Sequence, residues 1–572
     1  MQNVVRTAAL TSLALVIAWS LSCASEGRPD PAPRQSRTEA VVLSPAAPLC
    51  EPAPLRTPPL AEPTATAPPQ KPTPATALAG DEPDDPRALP ASTVPLRAPS
   101  AWSPPLAVTV DDEPVPEVPD AVEDPTTAPK ADGPRLVATL KETWVYAAPD
   151  FRARKLGYLR AGAVVTRREK PASRAGCAGG FYGIEPKGFV CVGMSASLDL
   201  QHPVAEAAKR RPDRERGLPY TYGMSKFPTP PFYLKVPTKQ EQRSVESDLD
   251  KHLAEISTSF PIPEPERELE AIPSSLSGGK VVPSVTPNHH GPGALYAGRA
   301  VPKSGFALVS EFEAEGRRWG LTTDLLIVPL DRLRRLAPSD FHGVPLDGAL
   351  PMVFIKSKSE RFYRRDDASG GFAVDEPISY RQAVPLSGTA TRIGKAVYWE
   401  TRDGRWVREL TDGRFLKVDA PKEWPSWAVE GRRWIEVSIL NQTLVAYDGR
   451  KPVYATLVST GADGLGDPEK THSTVRGAFL IHTKHVTATM DNDEADDRFD
   501  LRDIPYVQYF HEGYAIHAAY WHDGFGTPRS HGCINVHPTD AAWLFGFTDP
   551  PVPDGWHAAL SLRNGTLVYV RP

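Results

Sequence analysis

The sequence is poor in cysteine, with five in 572 residues, and it has no excess of basic side chains. Its 65 lysines and arginines are outnumbered by 70 aspartates and glutamates, which gives a net charge of −5. Domains that bind nucleic acid through phosphate contacts carry a basic patch or a strongly basic balance. The composition therefore predicts no nucleic-acid partner.

Long apolar runs are also lacking, apart from residues 8–21 near the N-terminus. That run is too short to span a membrane comfortably and follows the positive charge of Arg6, which is typical of an export signal. Its end, Ser-Leu-Ser-Cys-Ala-Ser, resembles a lipoprotein lipobox. The resemblance implies a signal over residues 1–23, a lipidated Cys23 and a lipid anchor in the membrane. Ordinary cleavage after Ala24 is the alternative, and both predict export to the cell envelope, in the periplasm.

Aromatic residues are scarce in the next segment, residues 24–135, which is rich in Pro, Ala, Thr, Glu and Asp. Such a segment cannot bury enough apolar surface to offset the entropy lost on ordering. Proline keeps the chain extended. The sequence predicts a disordered linker that holds the folded part away from the membrane.

The few cysteines differ in their surroundings. Cys177 and Cys191 are close in sequence around a Gly-Gly-Phe-Tyr turn and predict a disulfide in an oxidising envelope, with two separately buried thiols as the alternative. Cys533 has no obvious partner. A leftover thiol in an exported protein is a candidate reactive group.

Residues 136–198 contain short strands separated by turn residues, at 155–159, 164–165, 181–184 and 188–192. Their Gly-Phe-Tyr-x-Ile and Gly-Phe-Val pieces resemble a bacterial SH3-like domain. The resemblance implies cell-wall binding or a spacer role, and a small β-barrel that binds nothing is the alternative.

Residues 200–432 carry no chemistry that the sequence identifies. Helical spacing covers 240–256, and strand patterns cover 304–330 and 383–417. We predict an uncharacterised β-rich region, with further SH3-like modules as one reading.

Residues 433–572 show clear β patterning and one short helical segment. Strands are predicted at 434–439, 443–447, 453–459, 478–482, 514–518 and 567–570, and a helix at 538–545. An Asp-Gly pair at 448–449 indicates a hairpin. The predicted fold class is mainly β, with a C-terminal sandwich or barrel that holds one short helix.

The stretch IHAAYWHDGFGTPRSHGCINV, residues 516–536, carries the most specific chemistry of the chain. A thiol is a strong nucleophile only as thiolate, and a nearby imidazole is a common means of forming it. With the strand pattern before it, His…SHGC-apolar-Asn resembles the YkuD-type L,D-transpeptidase domain over residues 433–572. The resemblance implies a Cys533 thioester with a peptidoglycan tetrapeptide stem, release of D-Ala, and transfer to an acceptor amine in a 3-3 cross-link.

Each step of that reaction needs a group, and the motif supplies candidates. Cys533 is the nucleophile, and His517 is the base toward the thiol and the acid toward the leaving amine. The amides of Gly532 and Cys533 are candidate oxyanion donors. In the family the carbonyl after the histidine, here that of Ala518, orients the imidazole.

The other polar residues of the motif receive supporting roles. His531 lies two residues from Cys533 and shares its face if the strand continues. It is included with the catalytic residues as one that shapes the site rather than acts as base, with a role toward the oxyanion as the alternative. Ser530 is expected to fix the turn through its hydroxyl, and with Asn535 and Arg529 it is a candidate substrate-binding residue. For Asn535 a local turn clamp, and for Arg529 a solvated loop charge, are the alternatives.

No metal or cofactor is predicted. His517, His522, His531, Cys533 and His537 crowd together, but their spacing matches no common zinc site, and a metal would cap the nucleophile. The acidic run at 491–497 lacks the glycine and terminal glutamate of a calcium loop.

The alternative functions left open are an L,D-carboxypeptidase, a papain-like endopeptidase and a non-catalytic wall-binding lipoprotein. The papain-like order places Cys before His, whereas here His517 precedes Cys533. The intact motif argues against loss of catalysis. The acceptor, a second stem or water or another amine, is not fixed by the sequence.

Overall fold

A computed structural model describes residues 132–259, 269–285, 294–492 and 498–572. The predicted export signal with Cys23, almost all of the proline-rich segment and most of the acidic run lie outside the described residues. The described chain is mainly β, as predicted, with four α-helices. None of these helices is both long and apolar enough to cross a membrane.

Seven short strands, β1 to β7, form the first part of the described chain. They are Arg135–Ala138, Thr143–Tyr146, Lys155–Leu159, Val164–Thr166, Phe181–Gly183, Phe189–Cys191 and Ala196–Ser197. β1 lies between β4 and β7, whereas β2 pairs with β3 and β6, and β6 pairs with β5. Cys177 and Cys191 form a disulfide beside Tyr146 and Phe181. The four strands predicted here are confirmed, and the SH3-like identity stays a prediction.

A second group of elements follows, in the region that the sequence left uncharacterised. It contains α1 (Pro203–Ala207), β8 (Thr221–Ser225), β9 (Pro231–Tyr233), α2 (Lys239–Val245), α3 (Leu249–Ser259), β10 (Tyr296–Arg299), β11 (Gly305–Ala314), β12 (Arg317–Thr322), β13 (Ile327–Pro329) and β14 (Leu333–Arg335). β11 pairs with β8 and β12, β8 with β14, and β9 with β10 and β13.

The single helix predicted over 240–256 is instead two helices. Glu246 lies at the break with a non-helical backbone, and its carboxylate is bonded by the buried guanidinium groups of Arg317 and Arg332. A buried carboxylate is stable only when it is paired, and the break brings this one to its partners. The apolar periodicity that predicted one helix contains no information about such an ion pair, so it could not predict the break.

A short strand, β15 (Val344–Pro345), leads into a seven-stranded antiparallel sheet that we call the β module, residues 352–418. Its strands are β16 (Met352–Ile355), β17 (Arg361–Arg365), β18 (Phe372–Pro377), β19 (Ala383–Ile393), β20 (Ala396–Thr401), β21 (Trp406–Arg408) and β22 (Phe415–Val418). Their order is β18-β17-β21-β20-β19-β16-β22. Buried apolar side chains from β16, β17, β19, β21 and β22 form its core.

The C-terminal part is built from two packed sheets. Its elements are β23 (Arg433–Ser438), β24 (Thr443–Asp448), β25 (Lys451–Ser459), β26 (Gly477–Leu480), β27 (Thr483–Asn492), β28 (Phe499–His511), β29 (Tyr514–Ala518), β30 (Ile534–Val536), α4 (Pro538–Phe547), β31 (Ala558–Leu560) and β32 (Leu567–Arg571). One sheet has the order β26-β32-β23-β24-β25, and the other has the order β31-β27-β28-β29-β30. The end of β25 also pairs with β30, so this strand belongs to both sheets. All six predicted strands and the helix are confirmed.

Strand pairing joins the C-terminal part to what precedes it. β31 pairs with β3, β25 pairs with β15, and β28 meets β11 at one parallel position. The apolar core between the two C-terminal sheets includes residues of β23, β24, β29, β30 and α4. The strands that carry the candidate site therefore belong to sheets that pair with earlier strands of the chain and pack on a shared apolar core.

A buried ion cluster lies where these parts meet. Asp503, fully buried on β28, accepts hydrogen bonds from both terminal nitrogens of Arg160, at 2.8 and 3.0 Å. Asp324 lies 3.6 Å from the same guanidinium and 2.8 Å from Lys141. Burial alone would raise the pKa of Asp503, but Arg160 and Lys141 hold it well below its usual range. Three sequence-distant segments are thus joined by one set of charges.

Candidate active site

His517 is buried on β29 with its ring fixed by the backbone. Its Nδ1 lies 3.0 Å from the carbonyl oxygen of Ala518, and the side chain is 2% exposed. The predicted acceptor is thus confirmed. Since a carbonyl can only accept, Nδ1 carries the hydrogen and Nε2 keeps a lone pair. Burial lowers the pKa of His517 to about 4, although the Ala518 bond opposes this, so the ring is neutral at pH 7.

Cys533 lies immediately before β30, the strand that pairs with the strand of His517. β29 and β30 are parallel neighbours, and His517 pairs with Asn535, two residues after the cysteine. The thiol donates to the Gly513 carbonyl oxygen at 3.7 Å. The residue is part-exposed, and burial raises the pKa of the thiol to about 11 against a hydrogen bond from the Ala515 amide. At pH 7 the two neighbouring segments therefore carry a protonated thiol and a neutral imidazole.

The state of this pair predicts how Cys533 reacts with pH. Because the thiol pKa is raised, alkylation by iodoacetamide should be slow at pH 7 and rise about tenfold per pH unit toward pH 10. The peptide that contains Cys533 can be followed by mass spectrometry. A preformed thiolate–imidazolium pair would react rapidly at neutral pH and level off below pH 8, which would contradict the prediction.

The turn before Cys533 is held by Ser530. Its hydroxyl bonds the Cys533 carbonyl oxygen at 2.5 Å and accepts the Gly532 amide at 3.1 Å. The predicted hydroxyl-to-backbone bond is confirmed. The Gly532 amide, expected to face an oxyanion, already has this partner because Ser530 folds back two residues along the turn. The Thr474 hydroxyl donates to the Gly532 carbonyl oxygen at 2.8 Å and ties the turn to a second loop.

Gly532 has a backbone that only glycine adopts easily, with φ of 123°. A Cβ there would lie 2.7 Å from Cε1 of Tyr514, so a side chain would displace either the ring or the turn. We expect Gly532→Ala to lower the rate of Cys533 acylation about tenfold or more and stability by about 1–3 kcal/mol. Acylation kinetics and thermal denaturation measure the two effects.

Gly464 provides the matched control for that substitution. It also has a positive φ, 58°, but a Cβ there meets nothing within 4 Å. Gly464→Ala should therefore leave acylation unchanged. Equal loss in both variants would mean that backbone conformation, and not the contact with Tyr514, limits the site.

Asn535 contacts the loop between His517 and Cys533, and Arg529 is part of that loop. The Asn535 amide lies 3.0 Å from Nε2 of His522, whose Nδ1 accepts the Gly524 amide at 3.1 Å. Arg529 is exposed, and its side chain lies over Gly524. Arg529 has no acidic partner among the described residues. The substrate-binding roles of these residues stay predictions.

His531 and His537 are separated from the thiol. The expected continuation of the strand through His531 is not found, because β30 begins at Ile534 and a bend precedes it. The exposed His531 ring packs 4.7 Å from that of His472 and 5.3 Å from that of Phe499, measured between centroids. His537 caps α4 by accepting the Thr539 amide.

Sequence reasoning missed residues that surround the imidazole. Trp521 stacks on His517, with ring centroids 5.8 Å apart. Asp523 bonds Arg381 of the β module at 2.7 Å. Trp521 and Asp523 lie within the motif, so their place in the sequence could have marked them as site residues. Nothing in the sequence, however, pairs Arg381 with this loop.

Residues 432–570 match the model of the YkuD family, described as the L,D-transpeptidase catalytic domain. No curated protein matches the chain.

Solved structures that resemble the chain include three L,D-transpeptidases. The enzyme of Xylanimonas cellulosilytica is 21% identical, with 27% of this chain and 64% of that one covered and a TM-score of 0.19. The Enterococcus faecium catalytic domain is 25% identical, covering 25% and 98%, with a TM-score of 0.19. The Mycobacterium smegmatis enzyme is 17% identical, covering 41% and 100%, with a TM-score of 0.20. By the family match, the C-terminal part of this chain, residues 432–570, is a YkuD-type L,D-transpeptidase catalytic domain.

Proposed function

We propose that the chain is a peptidoglycan L,D-transpeptidase that works through a Cys533 thioester. The observation that carries the proposal is the pairing of β29 with β30 inside a YkuD-type domain. This pairing brings the strand of a buried imidazole, oriented by the Ala518 carbonyl, against the strand that directly follows the only free cysteine among the described residues.

The first step forms the thioester and releases D-alanine. The Cys533 sulfur attacks the L,D-amide carbonyl of a tetrapeptide stem as Nε2 of His517 takes the thiol proton. The C–N bond then breaks, and the same proton passes from the imidazolium to the leaving amine. Starting from a neutral pair, the thiolate forms only as it attacks, so the substrate must supply part of the driving force.

Negative charge develops on the carbonyl oxygen in this step. The Gly532 amide is engaged by Ser530, so we assign the Cys533 amide as the donor that meets the oxyanion. Ser530 then acts by holding the turn that aims this amide.

The second step resolves the thioester. An amine of a second stem, usually that of a diaminopimelate side chain, attacks the thioester carbonyl and gives its proton to His517. The C–S bond breaks, and the proton returns to sulfur. Water in place of the amine would give hydrolysis and a tripeptide product.

The test is incubation of the full chain with disaccharide-tetrapeptide, followed by mass spectrometry. A dimer that has lost one D-alanine is the expected product. A tripeptide alone would assign the carboxypeptidase alternative, and unchanged substrate would refute both. The Cys533→Ala variant shows whether any product depends on the thiol.

We further propose that the protein acts in the cell envelope, anchored through a lipid on Cys23. The export signal and its lipobox-like end support this proposal. Mass spectrometry of the mature N-terminus tests it: a diacylglyceryl-modified Cys23 is expected, and a free N-terminus at Ser25 would indicate ordinary secretion.

A further inference from the structure

The loop that joins β29 to the Cys533 turn is bound on its outer side by parts of the chain far away in sequence. Arg381, in the turn between β18 and β19 of the β module, donates from Nη1 to Asp523 Oδ1 at 2.7 Å and from Nη2 to the Asp523 carbonyl oxygen. The Ser339 hydroxyl bonds the same carboxylate oxygen at 2.7 Å. Asp523 is thus held at its backbone and at its side chain.

Arg381 is buried and has an unusual backbone conformation at this contact. Its side chain is 5% exposed, whereas that of Asp523 is 49% exposed. Its backbone has φ of 62°, in the left-handed region that non-glycine residues occupy at a cost of about 1 kcal/mol or more. Glycine or asparagine would fit a turn of this shape with less strain. The presence of arginine here therefore indicates that its side chain has a role at this position.

Two further contacts hold the same loop. The Phe525 ring, buried, stacks against Phe341 with centroids 6.0 Å apart. The Lys356 side chain, just after β16, lies against Gly526, where a Cβ would meet its Cδ at 2.6 Å and its Nζ at 2.9 Å. The β module and the segment before it therefore contact the loop at three positions, Asp523, Phe525 and Gly526.

The two residues that precede Asp523 contact His517 and its strand neighbour Asn535. Trp521, two residues before Asp523, stacks on His517 at 30° between ring planes. His522 bonds Asn535, the strand neighbour of His517. A shift of Asp523 moves both residues, because they precede it directly in the chain.

We propose that the β module positions the catalytic imidazole, with Arg381 and Asp523 as positioning residues that act through Trp521 and His522. The Arg381–Asp523 pair fixes the loop, and the loop holds the plane of the His517 ring through the stacking of Trp521. The consequence for turnover rests on the proposed function, whereas the consequence for the His517 ring does not. The β module thereby contributes to the geometry of the active site.

Arg381→Ala in the full chain tests the proposal. We expect kcat for D-alanine release to fall about tenfold or more with KM changed less than threefold, since a displaced base affects chemistry more than binding. The ring signals of His517, identified by comparison with His517→Asn in histidine-labelled protein, should lose the ring-current shift that Trp521 imposes. Arg381→Lys, which can keep one of the two bonds, should restore part of kcat.

Two controls make the outcome decisive. Arg364→Ala removes another arginine–aspartate pair of the β module, Arg364 with Asp375 at 2.8 Å, and should change neither kcat nor the His517 signals. Asp523→Ala leaves Arg381 in place but removes the side-chain acceptor of Arg381 and Ser339, serves if Arg381→Ala does not fold, and should lower kcat in the same direction. Unmoved His517 signals in a folded Arg381→Ala or Asp523→Ala variant would overturn the proposal. Absence of turnover in the unaltered protein would instead refute the proposed function and leave the ring signals as the test.

Discussion

Cys533→Ala is expected to reduce D-alanine release from a tetrapeptide stem by a factor on the order of 10⁴ or more, because no other described group can form the thioester. The remaining described cysteines, Cys177 and Cys191, are joined in a disulfide. Removal of a part-exposed thiol leaves the fold intact, so the thermal midpoint should stay near that of the unaltered protein. Mass spectrometry of the released amino acid and calorimetry measure the two quantities.

Cys533→Ser sharpens the result. It keeps size and polarity but replaces sulfur by a hydroxyl that is a far weaker nucleophile beside a neutral imidazole. Loss of activity in both variants would assign the role to the thiolate. Full activity in Cys533→Ala would show that the mechanism proposed for this site is wrong.

Asp503→Ala is expected to lower the free energy of unfolding by about 3–5 kcal/mol, the largest effect on stability that the structure predicts. The substitution leaves the buried guanidinium of Arg160 with only Asp324, 3.6 Å away, and removes an acceptor of the Thr487 hydroxyl, which bonds Asp503 at 2.5 Å. A buried charge that loses its closest partner costs far more than the pair contributes. Denaturant unfolding at pH 7 measures the change.

Asp375→Ala is the matched control. Asp375 pairs with Arg364 on the surface of the β module, where water and salt screen the interaction. Its loss should leave the unfolding midpoint unchanged. A loss in Asp503→Ala no larger than in this control would show that the buried cluster does not stabilise the junction.

The strands that the sequence predicted are those with regular apolar patterning and turn residues at their ends. The two longest C-terminal strands, β27 and β28, were not predicted, because polar residues occupy their inner positions. Lys484 on β27 is fully buried, and its ammonium donates to the carbonyl oxygens of Phe545 and Thr548 at the end of α4, both at 2.7 Å. On β28, Asp503 is buried by its partners from other segments. From a single sequence, a charged residue that is buried by remote partners is mistaken for a residue of an exposed loop.

The candidate site shows the same division. Short-range features were predictable: the Ala518 bond to His517 and the Ser530 hydroxyl in the turn both lie within a few residues of the groups that they hold. The bond that the Gly532 amide donates to the Ser530 hydroxyl was not foreseen, and the role of this amide toward an oxyanion stays a prediction. Arg381 could not be found, because it lies 142 positions from Asp523 in the chain.

The pairing of β31 with β3 and of β25 with β15 decides how this protein can be divided. A fragment starting at residue 432 would keep the whole YkuD-type segment but would leave two strand edges bare, and bare edges recruit strands from other molecules. Such a fragment should associate or precipitate at concentrations where the whole chain stays monodisperse. The borders of the sequence family and the borders of an independently soluble body are therefore different in this chain.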